Sequence, residues 1–95
     1  MLGFNISNIT SSQYRESIDK SFIDTVVDDS STRVITESIV SMVKRLGYET
    51  VAEGVETQEQ YEYLKQINCD NIQGFLLGRP MPESEFENLL QKHSV

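Results

Sequence analysis

Three short apolar runs, each followed by a segment with apolar residues at helical spacing, divide this chain into three strand-then-helix units. That alternation constrains the fold more than any other feature, because a repeated strand–helix order calls for parallel strands joined by right-handed crossovers. The expected class is therefore α/β. The strand candidates are residues 17–23, 50–52 (running on into Glu53-Gly54-Val55-Glu56) and 71–77. They start about 33 and then about 21 residues apart, as βα units do. A closed barrel of such units needs about 250 residues, or ~31 per unit. The 95 residues here supply three units, which cannot close a barrel, so both edges of the sheet are expected to be open.

The helices have readable signals. Over residues 31–46, Ile35, Ile39, Met42, Val43 and Leu46 share one helical face and are expected to point inward. Ser30 or Ser31 can cap the start, Gly47 suits the left-handed position past the end, and Lys44 and Arg45 complement the dipole in the last turn. Thr57 with Gln60 reads as a capping box for a helix running to about residue 67, with Tyr61, Leu64 and Ile67 inward. Residues 78–82 break the pattern. Pro82 suits the first turn of a last helix lined by Phe86, Leu89 and Leu90. Residues 1–15 show no sustained period and are expected to be irregular; their two Asn-x-Ser/Thr triplets read as chance occurrences.

Composition removes several function classes. Fifteen acidic against eight basic residues give a net charge of -7, which excludes a basic module for nucleic-acid polymers. A single cysteine, Cys69, excludes an internal disulfide framework and a cysteine-rich zinc site. A single histidine, His93, excludes a two-histidine metal or catalytic arrangement. The opening residues lack a basic start and an apolar core, and no run approaches the ~20 apolar residues of a membrane helix, so a cytoplasmic setting without a membrane segment is expected.

In parallel α/β architectures, functional groups gather at the C-terminal ends of the strands. Glu53 and Glu56 fall there, where carboxylates can hold a divalent cation or act as a base; Gly54 between them permits a tight turn. Taken alone, a Glu-x-x-Glu is more often a complement to the dipole of the following helix. Gln73 in the third strand is either a ligand-facing amide or a satisfied core amide. Arg79, before Pro80, reads as a phosphate clamp or an ordinary loop arginine. Asp19 and Lys20 interrupt the first strand on opposite faces, and Asp28-Asp29 reads as a helix-start cluster.

Together, SIDKSFI and then TVAEGVETQEQYEYLKQINCDNIQGFLLGRPMPESEFENLL resemble the C-terminal part of an EAL domain, the family of cyclic di-GMP-specific phosphodiesterases. On this resemblance residues 16–95 form a partial EAL domain, three consecutive βα units of a (β/α)8-type barrel, behind the irregular segment 1–15. The resemblance implies Mg²⁺- or Mn²⁺-dependent hydrolysis of cyclic di-GMP to pGpG. It places Glu53 and Glu56 at the two glutamates of the EGVE motif beside the metals and catalytic water. Gln73 matches the glutamine of the QG strand end, Asp19 the aspartate of the KID segment, and Gly78-Arg79-Pro80 the GRP turn. Asp19, Gln73 and Arg79 are thus the substrate-binding candidates.

The departures are as informative. The Glu-Ala-Leu signature, the asparagine, the further glutamate and the Asp-Asp pair that supply most metal ligands are not in this sequence, and Ser17 stands where active members carry a lysine. Residues 1–16 do not match the family's segment. Glu53 and Glu56 remain the nearest metal candidates, in an incomplete set expected to bind Mg²⁺ or Mn²⁺ weakly. The leading expectation is a degenerate EAL phosphodiesterase, inactive alone. The alternatives are a regulatory module acting through cyclic di-GMP or protein contacts, and a split enzyme completed by another polypeptide. The open edges predict a protein partner or a homo-oligomer.

Overall fold

The computed structural model describes residues 14–75 and 79–93. The elements run β1 (Arg15–Ile18), α1 (Lys20–Ile23), α2 (Ser30–Arg45), β2 (Glu49–Val55), α3 (Gln58–Gln66), β3 (Asn71–Gly74), β4 (Met81–Pro82) and α4 (Glu83–His93). They form one sheet of order β1-β2-β3-β4; the first three strands are parallel and β4 is antiparallel to β3.

Register explains the core. Ile18 pairs with Ala52, and Ala52 with Ile72, so the three side chains form a row on one face, each at most 1% exposed. Onto this row α2 brings Val40, α3 brings Tyr61 and Leu64, and α4 brings Phe86. The Tyr61 and Phe86 rings stack with centroids 5.2 Å apart. At the N-terminal ends of β2 and β3, the polar groups satisfy one another. Asp70 Oδ2 accepts from Thr50 N at 3.0 Å, Asp70 N donates to Thr50 Oγ1 at 3.1 Å, and Asn71 Nδ2 donates to Thr50 O at 3.1 Å. This latch holds the two strands in register where an unpaired buried amide would cost about 1–3 kcal/mol.

The α/β class, the three parallel strands and the order of the main helices agree with the sequence reading. The capping box is present in full: Thr57 Oγ1 accepts from Gln60 N, and Gln60 Oε1 accepts from Glu56 N and Thr57 N. Several expectations are corrected. Residues 17–23 are not one strand: β1 starts earlier, at Arg15, inside the segment expected to be irregular, and stops at Ile18, because Asp19 caps a helical turn. Asp29, not Ser30 or Ser31, caps α2, its carboxylate accepting from Ser31 N and Thr32 N. The buried stripe of α2 is Thr36, Val40 and Val43, while Ile35, Met42 and Leu46 are 45, 57 and 53% exposed. The sheet lies about a quarter turn of the helical wheel from the face that hydropathy alone favours, so Val43 is buried as expected and Ile39 is half-buried. The third strand ends at Gly74 rather than 77; residues 76 and 77, Gly78 and residues 1–13 lie outside the described residues. Pro82 belongs to β4, an antiparallel strand with no sequence signal of its own, and immediately precedes α4.

Candidate functional site

The parallel strands all point their C-terminal ends the same way, so the segments after β1, β2 and β3 share one end of the sheet. Asp19, Glu53, Glu56 and Gln73 all fall at that end.

The geometry there is set by an irregularity in β2. Ala52 pairs with Ile72 and Val55 with Gly74, so Glu53 and Gly54 together oppose the single residue Gln73. This is a β-bulge, with Gly54 at φ +69°, in the left-handed region that favours glycine. The extra residue lets Ala52 and Val55 both turn into the core, each fully buried, and leaves Glu53 half-buried between them opposite half-buried Gln73. Gly74 is required for a second reason. A Cβ on it would lie 1.9 Å from the Val55 carbonyl oxygen, the atom that accepts the Phe75 N–H at 2.8 Å.

Glu56, just past β2, is exposed and engaged by Lys20. The Lys20 ammonium lies 2.9 Å from Asp24 Oδ1 and 3.2 Å from Glu56 Oε1. Its stem passes over Gly54, so closely that a Cβ there would meet Lys20 Cγ at 2.5 Å. These contacts hold the lysine in its charged form above its ordinary range, the Asp24 hydrogen bond contributing most and Glu56 next. Asp19 is also committed locally. Its Oδ2 accepts from Ser21 N at 2.9 Å, and hydrogen bonding from Ser21 lowers its pKa. It does not alternate faces with Lys20 within a strand, as expected, because it is the N-cap of α1.

The structure thus brings Glu53 and Gln73 opposite each other across the bulge and ties Glu56 to α1 through Lys20. Arg79 is exposed at a bend beyond β3 and is not part of that register-related group. Ser17, one residue before the end of β1, is exposed. Among the described residues no group of three or more His, Cys, Asp or Glu side chains is placed to hold a metal ion. The donor set present therefore does not fit a complete metal centre: of the EGVE carboxylates, one is salt-bridged to Lys20. Sequence reasoning missed the Lys20–Asp24–Glu56 bridge. Its signal was the four-residue spacing of Lys20 and Asp24, hidden by reading Lys20 as strand, with Asp24 just past its end. No helix among the described residues is long and apolar enough to cross a membrane.

Comparison with known proteins identifies relatives of this arrangement. The family model of the EAL domain matches residues 17–80. A bifunctional diguanylate cyclase/cyclic di-GMP phosphodiesterase, MucR of Pseudomonas aeruginosa, is 46% identical over 68 residues, covering 72% of this chain and 10% of MucR. Among solved structures, the c-di-GMP complex of the PaMucR phosphodiesterase superposes with a TM-score of 0.64 at 42% identity, covering 77% of this chain and 30% of that one. The manganese/cy-diGMP complex of Klebsiella pneumoniae BlrP1 gives a TM-score of 0.63 at 30% identity, covering 73% of this chain and 18% of that one. BlrP1 is also known as a calcium/cy-diGMP complex. The chain therefore spans about a tenth of the length of the curated relative and under a third of these solved chains.

Proposed function

The chain belongs to the EAL domain family, as a segment of its (β/α)8 barrel, and from that premise we propose that it is a degenerate cyclic di-GMP phosphodiesterase segment that does not hydrolyse the nucleotide alone. The observation that carries this reading is the extent of the match. Residues 17–80 supply the ends of three parallel strands, whereas the barrel of the relatives gathers its site from eight. Glu53, Glu56 and Gln73 form one wall of such a site, with Asp19 and Arg79 at its margin. A divalent cation would neutralise the phosphate and activate water in the complete site. Here Glu53 and Glu56 are the nearest candidates, and among the described residues no group of three or more His, Cys, Asp or Glu side chains completes a shell. Ser17 supports the same conclusion, because a hydroxyl cannot supply the positive charge of the lysine that the family carries there.

The test is chromatographic detection of pGpG after incubating the pure chain with cyclic di-GMP and Mg²⁺ or Mn²⁺. No turnover is expected. Turnover that follows the chain through purification and disappears in Glu53→Gln overturns the reading.

A second reading, a module that binds cyclic di-GMP without cleaving it, is favoured by one observation, the opposition of Glu53 and Gln73 across the bulge. An upward thermal shift with nucleotide, lost in Gln73→Ala, would support it, because a ligand that binds only the native state stabilises that state.

A further inference from the structure

Two residues that bulge out of a strand lose the ladder there, so other contacts must hold them. Glu53 and Gly54 are such a pair, opposite the single residue Gln73. Before the bulge the backbone is secured on both sides, since Ala52 pairs with Ile18 and with Ile72. After it, Val55 pairs with Gly74, and the Val55 carbonyl accepts the Phe75 N–H. β1 stops at Ile18, so on that side its ladder does not reach Glu53 and Gly54. Among the described residues no ion pair holds the Glu53 carboxylate, whose place is therefore set by the backbone that carries it.

Where β1 ends, α1 takes over. Asp19 caps this turn, its carboxylate accepting from Ser21 N, which makes Lys20 the first helical residue. The Lys20 stem crosses Gly54 so closely that a Cβ there would meet its Cγ, Cδ and Cβ at 2.5, 2.7 and 3.0 Å. Past Gly54 the ammonium reaches Glu56 Oε1 at 3.2 Å, while Asp24, one turn along α1, holds it at 2.9 Å. Glu56 N donates to Gln60 Oε1 at 2.7 Å, which ties the same segment to α3. Ion pairs as exposed as these add little to global stability. What this one does is local: one side chain spans the bulge, with its stem on Gly54 and its charge on Glu56.

We propose that Lys20 is a positioning residue for Glu53: its stem and its ammonium brace the bulge on the side that β1 does not reach, and so fix where the carboxylate stands opposite Gln73. The proposal rests on the reading of Glu53 and Gln73 as one wall of a site. Lys20 acts through the backbone and not as a cation offered to a ligand, because its ammonium is already shared between two carboxylates. Asp19 and Asp24 belong to the same device. The first fixes the turn from which Lys20 projects, and the second steers the ammonium along it. Gly54 is then needed twice, for its φ of +69° and for the room it leaves the stem.

The test compares variants of the full chain by NMR, without nucleotide or metal. It reads hydrogen exchange at the Phe75 amide, which donates across the bulge to Val55 O, and the backbone resonances of Glu53 and Gln73. Lys20→Ala should speed Phe75 exchange about ten-fold relative to global unfolding and move both resonances. Lys20→Arg, which restores stem and charge, should stay within about two-fold of wild type with the resonances in place. Lys44→Met removes a comparable exposed pair, Lys44–Asp70 at 3.2 Å, at the other end of the sheet, and should also stay within about two-fold. Where Lys20→Ala does not fold, Lys20→Met, which keeps the stem, is read in its place and should show a smaller change of the same kind, about three-fold. A Lys20 variant that changes Phe75, Glu53 and Gln73 no more than Lys44→Met does, or a Lys20→Arg protein that behaves as Lys20→Ala or Lys20→Met does, overturns the proposal. Because no ligand is present, that failure is distinct from failure of the site reading, which the thermal shift with nucleotide decides.

Discussion

Substituting Gly74 tests whether the candidate site is held by backbone contact between two strand ends. In Gly74→Ala the new Cβ would lie 1.9 Å from Val55 O and 2.6 Å from Val55 C. Ordinary contact begins beyond 3 Å, so the ends of β2 and β3 must separate by about 1 Å. The atom in the way is backbone and cannot rotate aside. Overpacking of this kind costs about 1–3 kcal/mol. The separation also breaks the hydrogen bond from Phe75 N to Val55 O, now 2.8 Å, for about another 1 kcal/mol. The expected loss is about 2–4 kcal/mol, which in a domain this size lowers the melting temperature by roughly 10–25 °C. Gly47→Ala is the internal control. Gly47 has a left-handed φ of +83° but nothing within 4 Å of its Cβ position, so only the backbone conformation is penalised, at about 1 kcal/mol. Thermal unfolding by circular dichroism should rank wild type above Gly47→Ala, and Gly47→Ala above Gly74→Ala. A Gly74→Ala protein as stable as Gly47→Ala, or more so, would refute the close-approach argument.

The other predictions concern caps, charges and ionisation. Thr57→Ala removes one arm of the capping box and should cost about 1 kcal/mol in urea unfolding, with α3 otherwise intact. Lys20→Met keeps the stem over Gly54 and removes the charge; because the ion pairs are half-exposed, the loss of stability should be small, and the difference from wild type should shrink in high salt. Asp19 has a pKa lowered by Ser21, so its contribution is present above the ordinary value of 3.8 and is lost as pH falls through the lower folded value. Asp19→Asn should therefore lower stability near neutral pH and converge on the wild type as pH falls below about 4, flattening the acid side of the profile. Tyr61 and Tyr63 are raised above the ordinary 10.0, by burial first and then by their hydrogen bonds to Glu83 and Glu37. For an acid raised in this way, stability is intact below pH 10 and falls above it. Alkaline unfolding followed by phenolate absorbance should shift upward in Tyr61→Phe and Tyr63→Phe; no shift in either variant would count against their burial.

What could be read in the sequence was what is local and periodic. The capping box at Thr57, the stop at Gly47 and the strand at residues 50–55 each rest on residue types whose chemistry acts within four positions. The first strand was misread because Asp19 serves two patterns at once. In a strand it is a polar interruption, but as an N-cap it starts a helix, and only the pairing of Ile18 with Ala52 shows where the ladder ends. The antiparallel β4 was invisible because two residues, one of them proline, carry no period.

The misplacement of the α2 face has a different origin, and it bears on function. Hydropathy marked Ile35, Ile39, Met42, Val43 and Leu46 as inward; the fold buries Val43 and half-buries Ile39, but adds Thr36 and Val40 and leaves Ile35, Met42 and Leu46 exposed. Thr36 can take a core position because its hydroxyl donates to Thr32 O at 2.8 Å, which hides its polarity from the core but not from a hydropathy pattern. The apolar residues it displaces lie on the flank beside the open edge, where the relatives continue their barrel. The same incompleteness limits the candidate site. Glu53 and Gln73 could be recognised as strand-end groups from sequence, and the bulge sets them opposite each other. The exposed flank of α2 and the groups at the bulge are thus separate features of the fold, so Ile35→Glu and Met42→Glu should leave the strand-end groups untouched.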